Sequence, residues 1–397
     1  MMREGTLHRA VRFLWRSRSP LARLVRLLLL PFSALYTVVM AVRSLCYRAG
    51  ILGVRRLPLP TIAVGNRAVG GAGKTPVAAW IAGFYASRGR TPAVLLRGYG
   101  GDEPKVHERL VPGAVVVADP DRVAGAARAL AAGADVIVLD DAFQTLGVAR
   151  DLNLALVSAE ATRQVRWLLP AGPWRETTAA LGRADGFIVT RKRAGLEEAR
   201  AVAEALAARW PNRPVAIAHL APVSLEGMVS GRALPLSTLA GHRVLAVAGI
   251  ADPESYAVQV RSTGASVQLV AYQDHHPYGE ADLQRIVRLA GAADYVVVTE
   301  KDAVKLRHRW PADVREPLVA VLAVRWESGG DAIIRSLRAC QPSRDGYERS
   351  CDYIPASNRA ADPAGQGHVP GGGEPVRGDD GALRPRGQGA ESGPRPL

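Results

Sequence analysis

The fold of this chain is decided by one stretch, residues 64–76: Val64-Gly65-Asn66-Arg67-Ala68-Val69-Gly70-Gly71-Ala72-Gly73-Lys74-Thr75-Pro76. Apolar, β-branched residues precede it and an amphipathic helical pattern follows it, which is the setting of a phosphate-binding loop. We predict that nucleotide phosphates bind Gly70, Gly71, Ala72, Gly73, Lys74, Thr75 and Pro76.

Each residue type in this stretch has a physical role in binding phosphate. The glycines let successive backbone N–H groups turn toward an anion, and the helix N-terminus adds its dipole. Lys74 would reach the β- and γ-phosphates, and the Thr75 hydroxyl would bind Mg²⁺. Pro76 suits a first helical turn, where no N–H is needed. The strict pattern has glycine where this chain has Ala68, and the alternative is a purely structural turn.

Short apolar runs alternate with Ala-rich helical stretches around this loop, which indicates parallel βαβ units in a sheet covered on both faces. The predicted strands of the first half are 61–64, 92–96, 114–117, 136–139, 152–157 and 186–190. A second set is predicted at 215–219, 244–247, 266–270, 295–298 and 318–322. The fold class is therefore α/β, a phosphate-loop NTPase-like sheet domain joined to a smaller α/β domain.

Four segments follow from these patterns. Residues 1–56 form a basic amphipathic membrane-associating segment, 57–214 the nucleotide-binding domain, and 215–340 the smaller α/β domain. Residues 341–397 include 11 Gly and 8 Pro among 57 residues, and this composition predicts a disordered tail.

The net charge of +14 suggests a nucleic-acid binder until its distribution is considered. Residues 1–56 contain eleven arginines and one acid, Glu4, so they carry +10 and the other 341 residues carry only +4. With no basic sheet or groove visible elsewhere, we expect no nucleic-acid partner. Three cysteines without a CxxC pair argue against a disulfide framework or a structural zinc site, and fit a reducing compartment.

The N-terminal segment is apolar as well as basic. Residues 27–42 carry no charge, which is shorter than the roughly 20 residues that a spanning helix needs, and Pro31 is expected to interrupt the run. Flanking arginines with Tyr36 and Tyr47 favour a helix that lies in one leaflet, attracted to anionic headgroups. The alternatives are a buried core helix and a true transmembrane span.

A second acidic motif belongs with the phosphate loop. The run Val136-Ile137-Val138-Leu139 ends in Asp140 and Asp141. Carboxylates at the carboxyl end of a buried parallel strand lie where a Mg²⁺ ligand is needed, so one or both of them would serve the metal. The alternative is an acidic surface turn.

From about Leu30 to Val324, this chain resembles the tetraacyldisaccharide 4′-kinases of lipid A biosynthesis. The motifs that carry the resemblance are Val64-Gly65-Asn66 with Gly70-Gly71-Ala72-Gly73-Lys74-Thr75-Pro76, Arg97-Gly98-Tyr99-Gly100-Gly101, Asp102-Glu103-Pro104, Asp140-Asp141-Ala142-Phe143-Gln144, Arg150-Asp151, Leu168-Leu169-Pro170-Ala171-Gly172-Pro173-Trp174-Arg175-Glu176, Ala248-Gly249-Ile250 with Pro253, Asp274-His275-His276, Tyr278 and Thr299-Glu300-Lys301-Asp302. Family members usually have extra residues before Asp102, and in this chain that loop is shortened. Ala142 and Thr145 replace the family's glycine and histidine.

The resemblance implies an ATP- and Mg²⁺-dependent kinase that phosphorylates the 4′-hydroxyl of a tetraacylated glucosamine disaccharide 1-phosphate. The lipid substrate implies a peripheral location at the cytoplasmic face of the inner membrane, with no obligate protein partner evident. The catalytic candidates are Lys74, which neutralises charge on the transferred phosphoryl group, and the pair Asp102 and His275, which receives the hydroxyl proton. Further candidates are His276 as a rival to His275, Glu103 at the metal, and Arg175 with Glu176 near phosphate.

A phosphate-loop GTPase or metallochaperone that gates a membrane partner is the alternative function. Such a GTPase should carry an Asn/Thr-Lys-x-Asp guanine-reading motif, and Glu300-Lys301-Asp302 lacks that spacing. This run also fits a simple helix cap through Thr299.

Overall fold

The computed structural model describes residues 11–340, apart from 12, 16, 18, 99–100 and 164–165. The predicted disordered tail at 341–397 therefore lies outside the described residues. The α-helices are α1 (Pro20–Arg48), α2 (Lys74–Ala86), α3 (Glu103–Leu110), α4 (Arg122–Ala131), α5 (Leu196–Arg209), α6 (Pro253–Arg261), α7 (Glu280–Ala290), α8 (Glu300–Leu306) and α9 (Gly330–Ala339). Short 3₁₀ helices cover Ala159–Arg163, Thr178–Arg183 and Leu236–Leu239.

Within these described residues, twelve strands form one largely parallel, mixed sheet. They are β1 (Thr61–Asn66), β2 (Pro92–Leu96), β3 (Val115–Ala118), β4 (Val136–Leu139), β5 (Leu152–Ser158), β6 (Gly186–Arg191), β7 (Val215–Gly227), β8 (Ala233–Leu234), β9 (Arg243–Ala248), β10 (Ser266–Ala271), β11 (Tyr295–Thr299) and β12 (Leu318–Ser328). The order across the sheet is β10-β9-β11-β12-β7-β6-β5-β1-β4-β2-β3, with β8 paired to β7.

The sheet is covered on both faces, as the sequence predicts. Along β1, Ile62 and Val64 belong to one buried cluster and Ala63 to another, because successive side chains of a strand point to opposite faces. All eleven predicted strands are present. The two-residue strand β8 is too short to leave a pattern in the sequence.

The long strands β7 and β12 join the two halves of the sheet. They pair antiparallel over most of their length, from Leu318 opposite Gly227 to Ser328 opposite Ile217. Strand β6 pairs in parallel with the start of β7, whereas β11 pairs in parallel with the start of β12. The strands of the two halves therefore run in opposite directions. Because β6 and β11 pair only with the starts of β7 and β12, the carboxyl ends of the two halves face each other.

The predicted boundary between residues 214 and 215 falls at the start of β7, and the division into two domains stays a prediction. Helix α9 crosses back to the first half: Ile333 and Leu337 lie in the same buried cluster as α2. The Tyr85 hydroxyl also donates a hydrogen bond to the carbonyl oxygen of Leu337 at 2.8 Å.

Helix α1 is a 29-residue helix capped by Ser19, whose side chain accepts a hydrogen bond from the Ala22 N–H. The expectation that Pro31 interrupts it is wrong. Pro31 lies on the exposed side, where the carbonyl that loses its N–H partner is not enclosed by protein. The helix is long and apolar enough to cross a membrane by length and composition, and only 11% of its most apolar window is buried.

Candidate functional site

The phosphate loop connects β1 to α2 with a backbone that glycine permits. Gly73 caps α2 with a φ of +82°, and a Cβ at this position would lie 2.1 Å from Leu220 Cδ1. Gly70 also has a positive φ, +132°. A side chain at Gly73 would therefore meet both backbone strain and a close contact with Leu220 of the long strand β7.

The side chains that follow the loop point to the neighbouring acidic strand. The Lys74 ammonium donates to Asn66 Oδ1 at 3.3 Å and lies 3.7 Å from Asp141 Oδ1. The Thr75 hydroxyl donates to Asp140 Oδ2 at 3.2 Å. These residues meet because β1 and β4 are parallel neighbours, so their carboxyl ends lie at the same edge.

Asp140 is buried and has one oxygen available. His107 Nε2 lies 3.0 Å from Asp140 Oδ2, and Oδ1 has no hydrogen-bond partner. Burial acts to raise the pKa of this carboxyl group, but the His107 contact and the charges of Lys74 and Lys301 lower it below its usual value. The lowered pKa favours the ionised carboxylate, in which Oδ2 contacts Thr75 and His107 and Oδ1 is left without a partner.

These groups fit a hard divalent cation. Hydroxyl and carboxylate oxygens are the ligands that Mg²⁺ prefers, and it is usually held by one or two protein carboxylates plus substrate phosphates. Across the part of the chain that the structure describes, no group of three His, Cys, Asp or Glu residues forms a ready metal cage. Asp140, with Oδ2 beside Thr75 and Oδ1 without a partner, matches a site completed by phosphate.

The structure brings Asp102 and His275 together across 173 residues of sequence. His275 Nδ1 lies 2.9 Å from Asp102 Oδ1, and the Lys305 ammonium forms an ion pair with Asp102 Oδ2 at 2.8 Å. Burial acts to raise the pKa of Asp102, but these two partners hold it well below its usual range. The Asp102 contact raises the pKa of His275.

A buried network holds His275 in place. Its backbone has a φ of +61°, and its N–H donates to the carbonyl oxygen of Gly249 at 3.2 Å. The N–H of Gly249 in turn donates to Asp302, a fully buried carboxylate that also accepts from Tyr278 at 2.8 Å and Thr299 at 2.6 Å. Thr299 caps α8 by accepting from the Asp302 N–H, so this motif serves the fold and reaches the site through Gly249.

His276, the rival candidate, points elsewhere. Its Nε2 lies 2.8 Å from Asp282 Oδ2, and its ring stacks on Tyr272 with centroids 4.6 Å apart. Of these two histidines, only His275 contacts Asp102.

Glu103 lies between the two parts of the site. One carboxylate oxygen is 3.9 Å from the Lys301 ammonium and 3.8 Å from His275 Nε2. Burial raises the pKa of Glu103. This position suits a supporting role beside the metal. The two candidate metal ligands that contact each other directly are Thr75 and Asp140.

Arg175 and Glu176 are adjacent in sequence but have different partners. The Arg175 guanidinium lies 3.4 Å from both Asp141 Oδ2 and Gln144 Oε1, at the rim of the phosphate site. Glu176 is buried in an ion pair with Arg183 at 2.5 Å, which indicates a structural role.

Three site residues are absent from the sequence-based prediction: His107, Lys192 and Lys305. The Lys192 ammonium donates to the carbonyl oxygen of Gly71 at 2.8 Å, and burial lowers the pKa of this lysine. For Lys305 a signal exists, because Lys301 and Lys305 are spaced i, i+4 on α8 and face the acids at 102 and 103. His107 has no such signal, since it lies in a short helix with mixed polarity.

Many of these groups line one cleft of about 1400 Å³: Lys74, Thr75, Glu103, Asp140, Asp141, Arg175, Lys192 and His275. Asp102, His107 and Lys305 are not among its lining residues and reach it through the side chains that they contact. Its lining includes the phosphate loop and the Asp140 strand end from the first half of the sheet, and the loop that carries His275 together with Lys301 of α8 from the second half. The long strands close its floor with Leu220, Pro222, Ala320 and Leu322. The same cleft is thus lined by the phosphate-binding loop and by His275, the imidazole of the acid–imidazole pair.

Comparison with known proteins gives one consistent result. The family model described as Tetraacyldisaccharide-1-P 4′-kinase matches residues 25–109 and 100–339. A tetraacyldisaccharide 4′-kinase of Pelobacter propionicus is 39% identical over 306 residues, covering 70% of this chain and 82% of that protein. One from Azoarcus sp. strain BH72 is 38% identical over 352 residues, covering 83% and 95%.

A solved structure is similar over most of the described chain. The crystal structure of the kinase LpxK from Aquifex aeolicus in complex with ATP superposes with a TM-score of 0.61 and 26% sequence identity. It covers 79% of this chain and 99% of that one. Sequence, fold and site geometry lead to the same conclusion: this chain belongs to the tetraacyldisaccharide 4′-kinase family, the ATP-dependent kinases of lipid A biosynthesis.

Proposed function

We propose that this chain transfers the γ-phosphate of Mg²⁺-ATP to the 4′-hydroxyl of a tetraacylated glucosamine disaccharide 1-phosphate. The observation that carries the proposal is the contact of 2.9 Å between Asp102 and His275, placed across one cleft from the phosphate loop. The GTPase or metallochaperone alternative has no comparable support, because the matched family consists of kinases.

The nucleotide phosphates would lie against the backbone of residues 70–76, with Lys74 neutralising charge on the γ-phosphate. Thr75 and Asp140 would hold Mg²⁺, with Asp141 and Glu103 nearby. When bound, the cation supplies charge neutralisation on the phosphate oxygens. Arg175, 3.4 Å from Asp141, is placed to add positive charge at the same rim.

The transfer step then needs a group that receives the hydroxyl proton. The substrate oxygen forms a bond to the γ-phosphorus while the bond between that phosphorus and the bridging oxygen breaks, and ADP leaves. The proton passes to the Asp102–His275 pair. The imidazole faces the cleft, because the His275 side chain is 32% exposed whereas that of Asp102 is 4% exposed and contacts Lys305.

A peripheral location at the cytoplasmic face of the inner membrane fits the shape of α1. Its inner side contacts the protein body at Ser33, Tyr36 and Arg43, so this part of the helix runs along the protein. The opposite side exposes apolar residues, among them Leu24, Leu28, Phe32, Leu35, Val39 and Val42. A helix with one face on the protein suits a membrane surface better than a span.

The basic residues near α1 complete this surface. Arg23 and Arg48 are exposed on the helix, and Arg55 and Arg56 follow it. Arginines beside an apolar face attract anionic headgroups, so this charge does not require a nucleic-acid partner. The acyl chains of the substrate would stay in the leaflet while its headgroup enters the cleft.

A phosphate-transfer assay tests the proposed reaction. Radiolabelled ATP, Mg²⁺ and the disaccharide 1-phosphate in mixed micelles should give a labelled lipid, with ATP preferred over GTP. Lys74→Ala should abolish transfer, because Lys74 neutralises charge that builds in the transition state. Lys105→Ala, an exposed lysine on α3, is the matched control and should transfer at the normal rate.

Two results would contradict the proposal. One is a wild-type protein that leaves the disaccharide unlabelled. The other is Lys74→Ala with more than about a tenth of the normal rate, which corresponds to a barrier change below roughly 1.4 kcal/mol.

A further inference from the structure

Two hydroxyl groups on the inner side of α1 hold the loop that leads to Arg175. The Ser33 hydroxyl donates to the carbonyl oxygen of Leu168 at 3.0 Å and accepts from the Ala171 N–H at 3.1 Å. The Tyr36 hydroxyl donates to the carbonyl oxygen of Arg175 at 3.0 Å. Ser33 is buried, although α1 is otherwise largely exposed. The helix therefore binds both ends of the segment 168–175, which we call the strap.

The strap is also paired to the entry of the phosphate loop. The Val69 N–H donates to the carbonyl oxygen of Pro173 at 2.7 Å, and the Arg175 N–H donates to that of Arg67 at 2.8 Å. The Arg67 guanidinium lies over the Trp174 ring, 3.5 Å from its centroid. The strap is thus fixed between α1 on one side and the phosphate loop on the other.

A third contact of α1 is linked to Arg175 through Gln144. Arg43 of α1 donates to the carbonyl oxygen of Gln144 at 3.2 Å. The side chain of Gln144 in turn lies 3.4 Å from the Arg175 guanidinium and donates to the carbonyl oxygen of Asn66 at 2.9 Å. Both the backbone and the side chain of Arg175 are therefore positioned by residues that α1 contacts.

We propose that Ser33 and Tyr36 are positioning residues for the kinase reaction: they act through the strap to hold Arg175 at the phosphate site. This inference rests on the proposed function. It gives α1 two roles on opposite faces, since the outer face meets lipid and the inner face sets the position of Arg175.

The test compares matched variants of the full chain on vesicles of phosphatidylethanolamine and phosphatidylglycerol. Ser33→Ala/Tyr36→Phe removes only the two hydroxyls that hold the strap. Thr37→Val is the control, because the Thr37 hydroxyl donates within the helix, to the carbonyl oxygen of Ser33 at 2.7 Å. Both proteins keep the apolar face, so their flotation with vesicles should equal that of wild type.

The expected result is a kcat about tenfold lower in the double variant. Without the hydrogen bonds of the two hydroxyls, the strap is held less tightly, so Arg175 spends less time in its position at the phosphate site. The KM for ATP should stay within about twofold, and Thr37→Val should match wild type. In an Arg175→Ala background the same double change should have almost no further effect on kcat, because the residue it positions is absent. A loss that is undiminished in that background would overturn the proposal, as would a kcat within twofold of wild type.

Hydrogen exchange of the peptide covering 168–176 provides a readout that needs no substrate. Exchange should be faster in the double variant and unchanged in Thr37→Val. Unchanged exchange in the double variant would overturn the inference by itself. If wild type fails to label the disaccharide, the proposed function fails, whereas the exchange measurement still decides whether α1 holds the strap.

Discussion

At the scale of single residues, Asp102 joins more of the proposed site than its neighbours in sequence do, because three elements meet at its carboxylate. Asp102 precedes α3, His275 lies in the loop after β10, and Lys305 belongs to α8. A buried carboxylate with an imidazole on one oxygen and an ammonium on the other stays ionised and keeps a fixed orientation. These two properties suit the proton-accepting role that we propose for the pair.

If Asp102 and His275 act as a unit, their removal should not be additive. We expect Asp102→Ala and His275→Ala each to lower kcat by about 10²–10⁴-fold, the usual contribution of general acid–base catalysis. The double variant should lose little more than the worse single variant. The measurement is kcat at saturating lipid and Mg²⁺-ATP.

His276→Ala is the matched control for this cycle, because His276 pairs with Asp282 and not with Asp102. It should keep kcat within about threefold of wild type. Multiplicative losses in the double variant would show independent roles. An active His275→Ala together with an inactive His276→Ala would assign the proton-accepting role to His276 instead.

The site could be predicted from sequence where its parts are local. Lys74 and Thr75 belong to one short motif, and Asp140 follows a buried strand, so the rule for parallel sheets is enough to bring them together. The contact between Asp102 and His275 followed only from family resemblance. His107 could not be predicted, because a charge partner on another element leaves no periodic pattern in the sequence. For Lys305 the sequence offers only the i, i+4 spacing from Lys301, which does not indicate that Asp102 is its partner.

At the scale of elements, α8 shows how a capping motif can serve the site. Thr299 and Asp302 begin the helix, yet Asp302 also accepts from Gly249, whose carbonyl oxygen holds the backbone of His275. The motif is therefore both a helix start and a support for the loop that carries His275. Its spacing in the sequence indicates only the first of these two functions.

Asp302→Ala should destabilise the fold, because it leaves the buried donors of Gly249, Tyr278 and Thr299 without an acceptor. An unsatisfied buried donor costs about 1–3 kcal/mol, so we expect a total loss of about 3 kcal/mol and a Tm lower by about 4 °C or more. Thermal unfolding followed by circular dichroism measures this. Asp313→Ala, at an exposed carboxylate, should leave the Tm within about 1 °C. An equal Tm for both variants would contradict the role of Asp302.

The strands show which part of an element can be predicted. The predicted start of β7 at Val215 is correct, but the strand continues to Gly227, past Pro222. A proline and polar residues hide the continuation, because alternation is weak where one strand serves two halves of a sheet. The same holds for β12, which runs on to Ser328 beyond the predicted end at Leu322. The parts of β7 and β12 that the prediction omits are the ones that join the two halves of the sheet and close the cleft.

At the scale of the whole molecule, opposed sheet halves and the outer helix form one functional arrangement. The antiparallel pairing of β7 with β12 turns the carboxyl ends of both halves toward one cleft. Helix α1 contacts the first half next to that cleft, through the strap that ends at Arg175. A lipid headgroup that enters from a membrane under α1 would therefore meet the site without leaving the surface.

The exposed face of α1 can be tested apart from its inner face. Leu24, Leu28 and Leu35 are 55%, 65% and 63% exposed, so their replacement by serine should leave the packing of the helix on the protein unchanged. Each leucine that inserts into a membrane contributes about 1.5–3 kcal/mol when fully buried, and even half of that over three residues weakens partitioning more than about 30-fold. Flotation with vesicles that contain phosphatidylglycerol should therefore be lost, while affinity for ATP stays the same. Leu130→Ser, at an exposed leucine of α4, should float normally. Full flotation of the triple variant in moderate salt would show that the apolar face of α1 is not the membrane-binding surface.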